Sequence, residues 1–279
     1  MRSGRLRIRE LKSPEEFAEA SQAAKAAWGF PDLMVPPPPD MITATHSGGM
    51  TAGAFEGERL LGFVHAVPRT NLGQPAIHSH LLAVRPDAQR RGLSVLLKLF
   101  QRDWCLARGI GLVTWTYDPF MLRNARLNLV RLAAVVPVFL PNFYGKVGGI
   151  YGELPSDRFE AHWRLNSPPV ERAARGETAA ETKGTAATKN GTDPESESAP
   201  GKEAELPVVR SGRFPASDRV LLPFPAGFPE VFRGDLAEGV AARRRFGRLA
   251  TVLFARGYEA VSVVMTAAGP AYVLERRRA

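Results

Sequence analysis

Apolar and polar positions alternate with a period of two over Leu6-Arg7-Ile8-Arg9, which predicts a first strand. Ser13-Pro14-Glu15-Glu16 reads as a helix start: serine can cap, proline suits the first helical position, and acids suit the positive end of the dipole. That helix is expected through Phe17 to about Trp28, where Gly29 ends it. Pro36 to Pro39 predicts a rigid extended segment, not helix interior. Met50 to Phe55 and Leu60 to Val67 read as a hairpin across Glu56-Gly57-Glu58-Arg59. Ile77 to Val84 forms the next strand, and a period of two puts His78, His80, Leu82 and Val84 on one face. Pro86 and Asp87 end it, and Gln89 to Ser94 leads into an amphipathic helical run from Val95 to Arg108. Leu112 to Thr116 predicts a further, parallel strand, Asn124 to Ala134 a helix, and Val135 to Leu140 and Arg158 to Leu165 two more strands.

The pattern then changes abruptly. No Phe, Trp or Tyr occurs between Trp163 and Phe214, and small and polar residues dominate from Ala173 to Glu205. Such a stretch buries too little apolar surface to offset its ordering entropy. Three parts are therefore expected: a core over residues 1–165, a flexible low-complexity insertion over 166–206, and a C-terminal extension over 207–279. The extension reads βαββ: a strand from Arg219 to Phe224, a helix capped by Asp235 and ended by Gly257, and a hairpin of Ala260 to Met265 and Ala271 to Leu274. It is expected to extend the sheet of the core or to cover a pocket in it.

Composition narrows the class. With 279 residues, 44% of them hydrophobic, the chain can bury a sizeable core. No apolar run reaches the length of a bilayer span and no signal-peptide core follows Met1, which points to a soluble, cytoplasmic protein without a membrane partner. Cys105 is the only cysteine, so an internal disulfide and a thiolate zinc site are excluded, and its helical setting predicts a buried structural thiol. The net charge of +9 raises the question of nucleic acid. Yet the dense clusters are only Arg243-Arg244-Arg245 and Arg276-Arg277-Arg278, without interleaved aromatic residues for base stacking. A partner bearing several phosphates would use some of that charge. His65 reads as structural and His46 as a loop residue; His78 and His80 lack a third metal ligand, so no metal is expected.

The candidate chemistry lies between Ile77 and Ser94. A glycine-bearing turn opening a helix presents unpaired backbone N–H groups backed by the helix dipole, which suits a phosphate or pyrophosphate; a solvated basic helix start is the alternative reading. Gln89-x-x-Gly92-x-Ser94, following Leu82-Ala83-Val84, resembles the acyl-CoA signature of the GNAT N-acyltransferases. Ser94 stands where that family carries Gly or Ala. The His-x-His of His78 and His80 is similar to that of arylalkylamine N-acetyltransferase, where such a pair lines the route for the amine's proton.

The resemblance covers about residues 5–165 and implies an α/β (α+β) GNAT fold. Its sheet is mixed and mostly antiparallel, flanked by helices, with a V-shaped splay between strands 4 and 5. It implies acetyl-CoA or another acyl-CoA as co-substrate, held by Leu82, Ala83, Val84, Gln89, Arg90, Arg91, Gly92, Leu93 and Ser94. Asn124 and Asn128, one turn apart on a helix, join that set, although Asn124 also reads as a plain helix cap. Residues between the first helix and second strand border the acceptor pocket in such folds, which makes Trp28, Phe30, Met34 and Met41 candidates to line it. Leu129 occupies the place where many members carry a tyrosine that protonates the leaving thiolate, and Tyr144 is the substitute candidate.

The function so implied is transfer of an acyl group, acetyl or succinyl, from CoA to the amine of a small molecule such as an amino acid. His78 or His80 would accept the amine's proton, since histidine's ordinary pKa is about 6.5. A backbone N–H near Leu82 or Ala83 would meet the carbonyl oxygen. A succinyl group would call for an arginine clamp, with Arg123 or Arg126 as candidates. The expected partner is a small-molecule amine, and a homodimer is compatible. Two other readings stay open: a non-catalytic acyl-CoA-binding module, and a nucleic-acid-binding protein.

Overall fold

A computed structural model describes residues 5–145, 154–177, 202–210, 213–228 and 235–277. Ten strands form one mixed sheet in the order β1-β2-β3-β4-β5-β7-β6-β9-β10-β8. All neighbours are antiparallel except β4 and β5. The expected start is observed. β1 (Leu6–Glu10) is followed by α1 (Pro14–Trp28), whose cap Ser13 accepts from the Glu16 N–H and whose end is the left-handed Gly29. The prolines of Pro36 to Pro39 differ from expectation, because Pro38 and Pro39 open a second helix, α2 (Pro38–His46). A first turn has no N–H partners to lose, so proline fits there, and His46 ends a helix where a loop was expected.

β2 (Met50–Glu56), β3 (Arg59–Asn71) and β4 (Gln74–Val84) form a meander whose second hairpin is longer than predicted, turning only at Leu72-Gly73. The added arm brings Arg69 into the sheet. α3 (Leu93–Leu106) crosses to β5 (Leu112–Tyr117), which lies parallel to β4 through only two register pairs, Ile77↔Val113 and His78↔Thr114. Beyond His78 the two strands part, which is the expected V. α4 opens as Leu122–Ala125 and continues π-wound over Arg126–Arg131. β6 (Val135–Leu140) and β7 (Arg158–Arg164) complete the core half of the sheet.

The 166–206 expectation needs correction at its start. Pro168–Ala174 forms a helix, α5, with Val170 buried in the main core. One apolar anchor and a proline start suffice to order a short helix in a stretch poor in aromatics. Residues 178–201 of the predicted insertion lie outside the described residues. The βαββ extension is observed as β8 (Arg219–Pro223), α6 (Leu236–Ala255), β9 (Tyr258–Thr266) and β10 (Gly269–Arg276). It extends the sheet through a single pair, Val136↔Ala260.

Packing sorts the helices by face. Leu11, Phe17, Met41, Leu60, Phe63 and Ala83 form a core with α1 and α2 over β2 to β4. The main core lies on the other face, beneath α3, α4 and α6, and includes Val84, Leu97, Trp115, Phe159, Trp163 and Phe246. Met41 is 1% exposed within the first of these cores, so it packs the fold and does not line a pocket. Cys105 is the buried structural thiol expected, and burial pushes its pKa up to about 12. Among the described residues no helix is long and apolar enough to cross a membrane, and no cluster of His, Cys, Asp and Glu is arranged to hold a metal.

Candidate active site

A bulge in β4 shapes this site. Ser79 pairs with Ala66 and Leu81 with His65, so His80 has no opposite residue on β3. An extra residue in one strand shifts the alternation of faces. His78 and His80 therefore share a face, as expected, but Leu82 and Val84 do not share it: both pack into the main core, while Leu81 and Ala83 face α1 and α2. The alternation rule fails here because it assumes an unbroken ladder.

The bulge also draws in a histidine that the sequence reading left as structural. The His65 and His80 rings are 6.2 Å apart between centroids, and those of His78 and His80 are 6.4 Å apart. Thr45 Oγ1 donates to the Met41 carbonyl, so Thr51 donates to Thr45 and the His65 Nδ1–H donates to Thr51 at 2.8 Å. Desolvation first, then the charge of His80, pushes the His65 pKa down to about 4. Desolvation, His80 and Arg69 push His78 to about 4 as well, and desolvation lowers His80. His80 is open to solvent yet ringed by protein, as befits the wall of a cleft. All three imidazoles are thus neutral at pH 7 and able to accept a proton.

His78 sits at the last paired position before the strands part. Its Nδ1 lies 3.2 Å from Thr114 Oγ1 on β5. The same hydroxyl accepts from Arg69 Nη1 at 2.8 Å, and that nitrogen also donates to Glu160 Oε1 at 2.9 Å. His162 Nε2–H donates to Glu160 as well, and this bond, with the charge of Arg69, holds the carboxyl below its usual range. Tyr144, half-exposed after β6, shares a 3.0 Å hydrogen bond with Thr116 Oγ1 on β5. A polar surface drawn from β3, β4, β5 and β7 thus flanks the V. Arg69, Glu160, His162 and His65 escaped the sequence reading because strand order, not spacing, brings them there.

The glycine turn is built as a cradle. Arg90 and Gly92 are left-handed at φ 65° and 70°, and Gly92 caps α3 without a side-chain hydrogen bond. Nothing lies within 4 Å of where a Cβ on Gly92 would stand, so the space before the helix is open. The first-turn amides of Leu93 and Ser94 face it, at the positive end of a 14-residue helix. Gln89 acts within the turn: its Nε2 donates to the Val84 carbonyl at 3.4 Å and its Oε1 accepts from Arg123 at 3.1 Å, tying β4 to α4. Arg91 pairs with Glu56 at 2.6 Å, so much of its charge is already compensated. Asn124 is partly exposed, whereas Asn128 is 4% exposed.

Residues 7–127 match the model of the Acetyltransferase (GNAT) family, and the chain carries a domain of that family over this segment. No curated protein matches the chain. Among solved structures it is similar to the ribosomal-protein-S18-alanine N-acetyltransferase of Escherichia coli. That match has 16% identity over 58% of this chain and 96% of that one, with a TM-score of 0.48. It is also similar to a chain of the NatC complex bound to Gag peptide and CoA, with 12% identity over 58% and 99% and a TM-score of 0.48. A third is FeeM, an N-acyl amino acid synthase from uncultured soil microbes, with 14% identity over 64% and 97% and a TM-score of 0.43.

Proposed function

We propose that this protein is an acyl-CoA-dependent N-acyltransferase acting on a small-molecule amine, with His78 and His80 serving the amine's proton. The observation that carries the reading is the V between β4 and β5, with the α3 cradle at one end and neutral histidines on its wall. Acyl-CoA supplies an activated acyl thioester when bound. The amides of Leu93 and Ser94, with Arg90, suit its pyrophosphate. The edge of β4 from Ser79 to Val84 has no partner in β5 and suits the pantetheine arm, as an added strand would. An N–H near Leu82 or Ala83 would meet the carbonyl oxygen, and Asn124 is a further candidate contact.

The amine attacks only after losing its proton. For His78 Nε2 to accept it, Nδ1 must carry the ring proton and donate to Thr114, whose oxygen has lone pairs for both His78 and Arg69. An imidazole with a pKa near 4 holds a proton weakly, so it relays the proton toward solvent-open His80 and does not store it. Tyr144, hydrogen-bonded to Thr116 on β5, is our candidate to give a proton to the leaving thiolate. Thiol release from acetyl-CoA and succinyl-CoA across an amine panel, after a thermal-shift screen of acyl-CoAs, tests the reading. Acyl-CoA binding without thiol release for any amine would make the protein a binding module instead. The same assay compares the acyl groups and tests whether Arg123, which gives one hydrogen bond to Gln89, or Arg126 favours a succinyl donor.

A further inference from the structure

Arg69 and Glu160 form an ion pair that the proton route leaves without a task, and its geometry is one-sided. Arg69 Nη1 makes both side-chain hydrogen bonds of that guanidinium, to Glu160 Oε1 and Thr114 Oγ1. Glu160 Oε1 takes both donors, Arg69 and His162. Nε and Nη2 of Arg69 and Oε2 of Glu160 have no partner among the described residues, and the side chains stay 30% and 14% exposed. A pair built only to tie β3 to β7 would engage both carboxylate oxygens, as the buried bidentate pair Arg243–Asp118 does. This pair keeps one guanidinium edge and one carboxylate oxygen open beside His78. α1 and α2 cover β2 to β4 on that face.

An open guanidinium edge takes a carboxylate, and an open carboxylate oxygen takes an ammonium. An α-amino acid presents those two groups one carbon apart and with the opposite polarity. We infer that Arg69 and Glu160 read a zwitterion, so that the acceptor is a free α-amino acid. Its carboxylate lies on the Nε/Nη2 edge of Arg69, and its ammonium lies at Glu160 Oε2, next to the imidazole that receives the proton. The inference rests on the transferase reading above and narrows its acceptor. Glu160 keeps its charge at neutral pH because His162 and Arg69 hold its pKa down, so the ammonium meets a carboxylate.

The test compares glycine, alanine, leucine and phenylalanine with the amines lacking their carboxylates: methylamine, ethylamine, 3-methylbutylamine and phenethylamine. Thiol release gives kcat/KM for each pair in the wild type, Arg69→Gln, Arg69→Lys and Glu160→Gln. Arg69→Gln is expected to shrink the ratio of amino acid to amine by roughly tenfold or more, because it leaves the substrate carboxylate unpaired. Arg69→Lys restores part of that ratio, and Glu160→Gln raises KM for both members of a pair. The difference in free-amine fraction cancels between variants. A ratio unchanged in Arg69→Gln, or losses equal for both members, overturns the inference, and unfolding midpoints show whether the variants remain folded. Calorimetric titration of the CoA-saturated protein with the same pairs reads the preference without turnover. Preference for amino acids there, without thiol release for any acceptor, sinks the transferase reading and leaves the zwitterion site standing. Turnover with no Arg69-dependent preference sinks the site alone.

Discussion

Arg243, from the middle of α6, donates Nη1 to Asp118 Oδ1 at 3.0 Å and Nη2 to Oδ2 at 2.5 Å, with both side chains closed to water. Asp118 follows β5 directly, so the extension is fastened to the strand that borders the V. The guanidinium also lies over the rings of Phe120 and Phe228, 4.6 and 4.7 Å from their centroids. Tyr272 of β10 donates to the Pro119 carbonyl at 2.6 Å beside it. One arginine of the triplet that suggested nucleic acid is thus a core residue.

Breaking that pair should unfold the protein readily. Arg243→Leu leaves Asp118 buried with the Phe120 N–H at 2.8 Å and Arg158 at 3.6 Å, and a loss of about 3–5 kcal/mol is expected. The denaturant midpoint measures it. Replacing both partners by apolar residues of similar size should cost clearly less than Arg243→Leu alone, since no charge is then stranded.

Lys98 offers the opposite case. It is 2% exposed on α3, with Nζ 3.2 Å from Ser79 Oγ, 2.6 Å from Gln101 Oε1 and 3.8 Å from the Trp115 ring centroid. No carboxylate pairs with it among the described residues, and burial pushes its pKa down to about 7. Between pH 7 and the unfolded value near 10.5, the unfolded chain binds the extra proton, so stability should rise with pH through that window. Lys98→Met should flatten the rise and stabilise the fold on the order of a few kcal/mol at neutral pH.

The histidines set a second pH window. His65 and His78 have folded values near 4, below the ordinary 6.5, so their contribution is complete above 6.5 and is lost as pH falls toward 4. Urea midpoints taken at half-unit steps from pH 4 to 7 should fall with acidity, and His65→Asn should shrink that slope. A slope unchanged by the substitution would mean that His65 is not buried neutral.

At the cradle, Gly92→Val should weaken acyl-CoA binding more than Arg91→Ala does. Valine at φ 70° costs about 1–2 kcal/mol and puts a branched side chain before the first-turn amides. Arg91 is paired with Glu56 and exposed, so its loss matters less. Equilibrium titration with acetyl-CoA ranks the two.

Local signals made much of this legible from the sequence. Ser13 and Gly29 bound α1 because capping is a matter of neighbouring atoms, and the glycine at 92 opens α3 for the same reason. The βαββ extension follows from periodicity and Asp235, whose side chain caps α6. The sequence pattern could not show that β4 bulges at His80, since the bulge is a property of its pairing with β3. Nor could it bring Arg69 and Glu160 together, 91 positions apart, or place Arg243 on Asp118, because those meetings depend on strand order.

The central claim is that His78 and His80 carry the amine's proton in an acyl transfer at this V. Single-turnover thiol release with saturating acetyl-CoA and an accepted amine, in the wild type and in the His78→Gln/His80→Gln double variant, tests it most directly. The account predicts a fall of about 10²–10⁴-fold in the rate of the double variant, with acetyl-CoA affinity and unfolding midpoint little changed. A folded double variant that binds acetyl-CoA and turns over at the wild-type rate would contradict it.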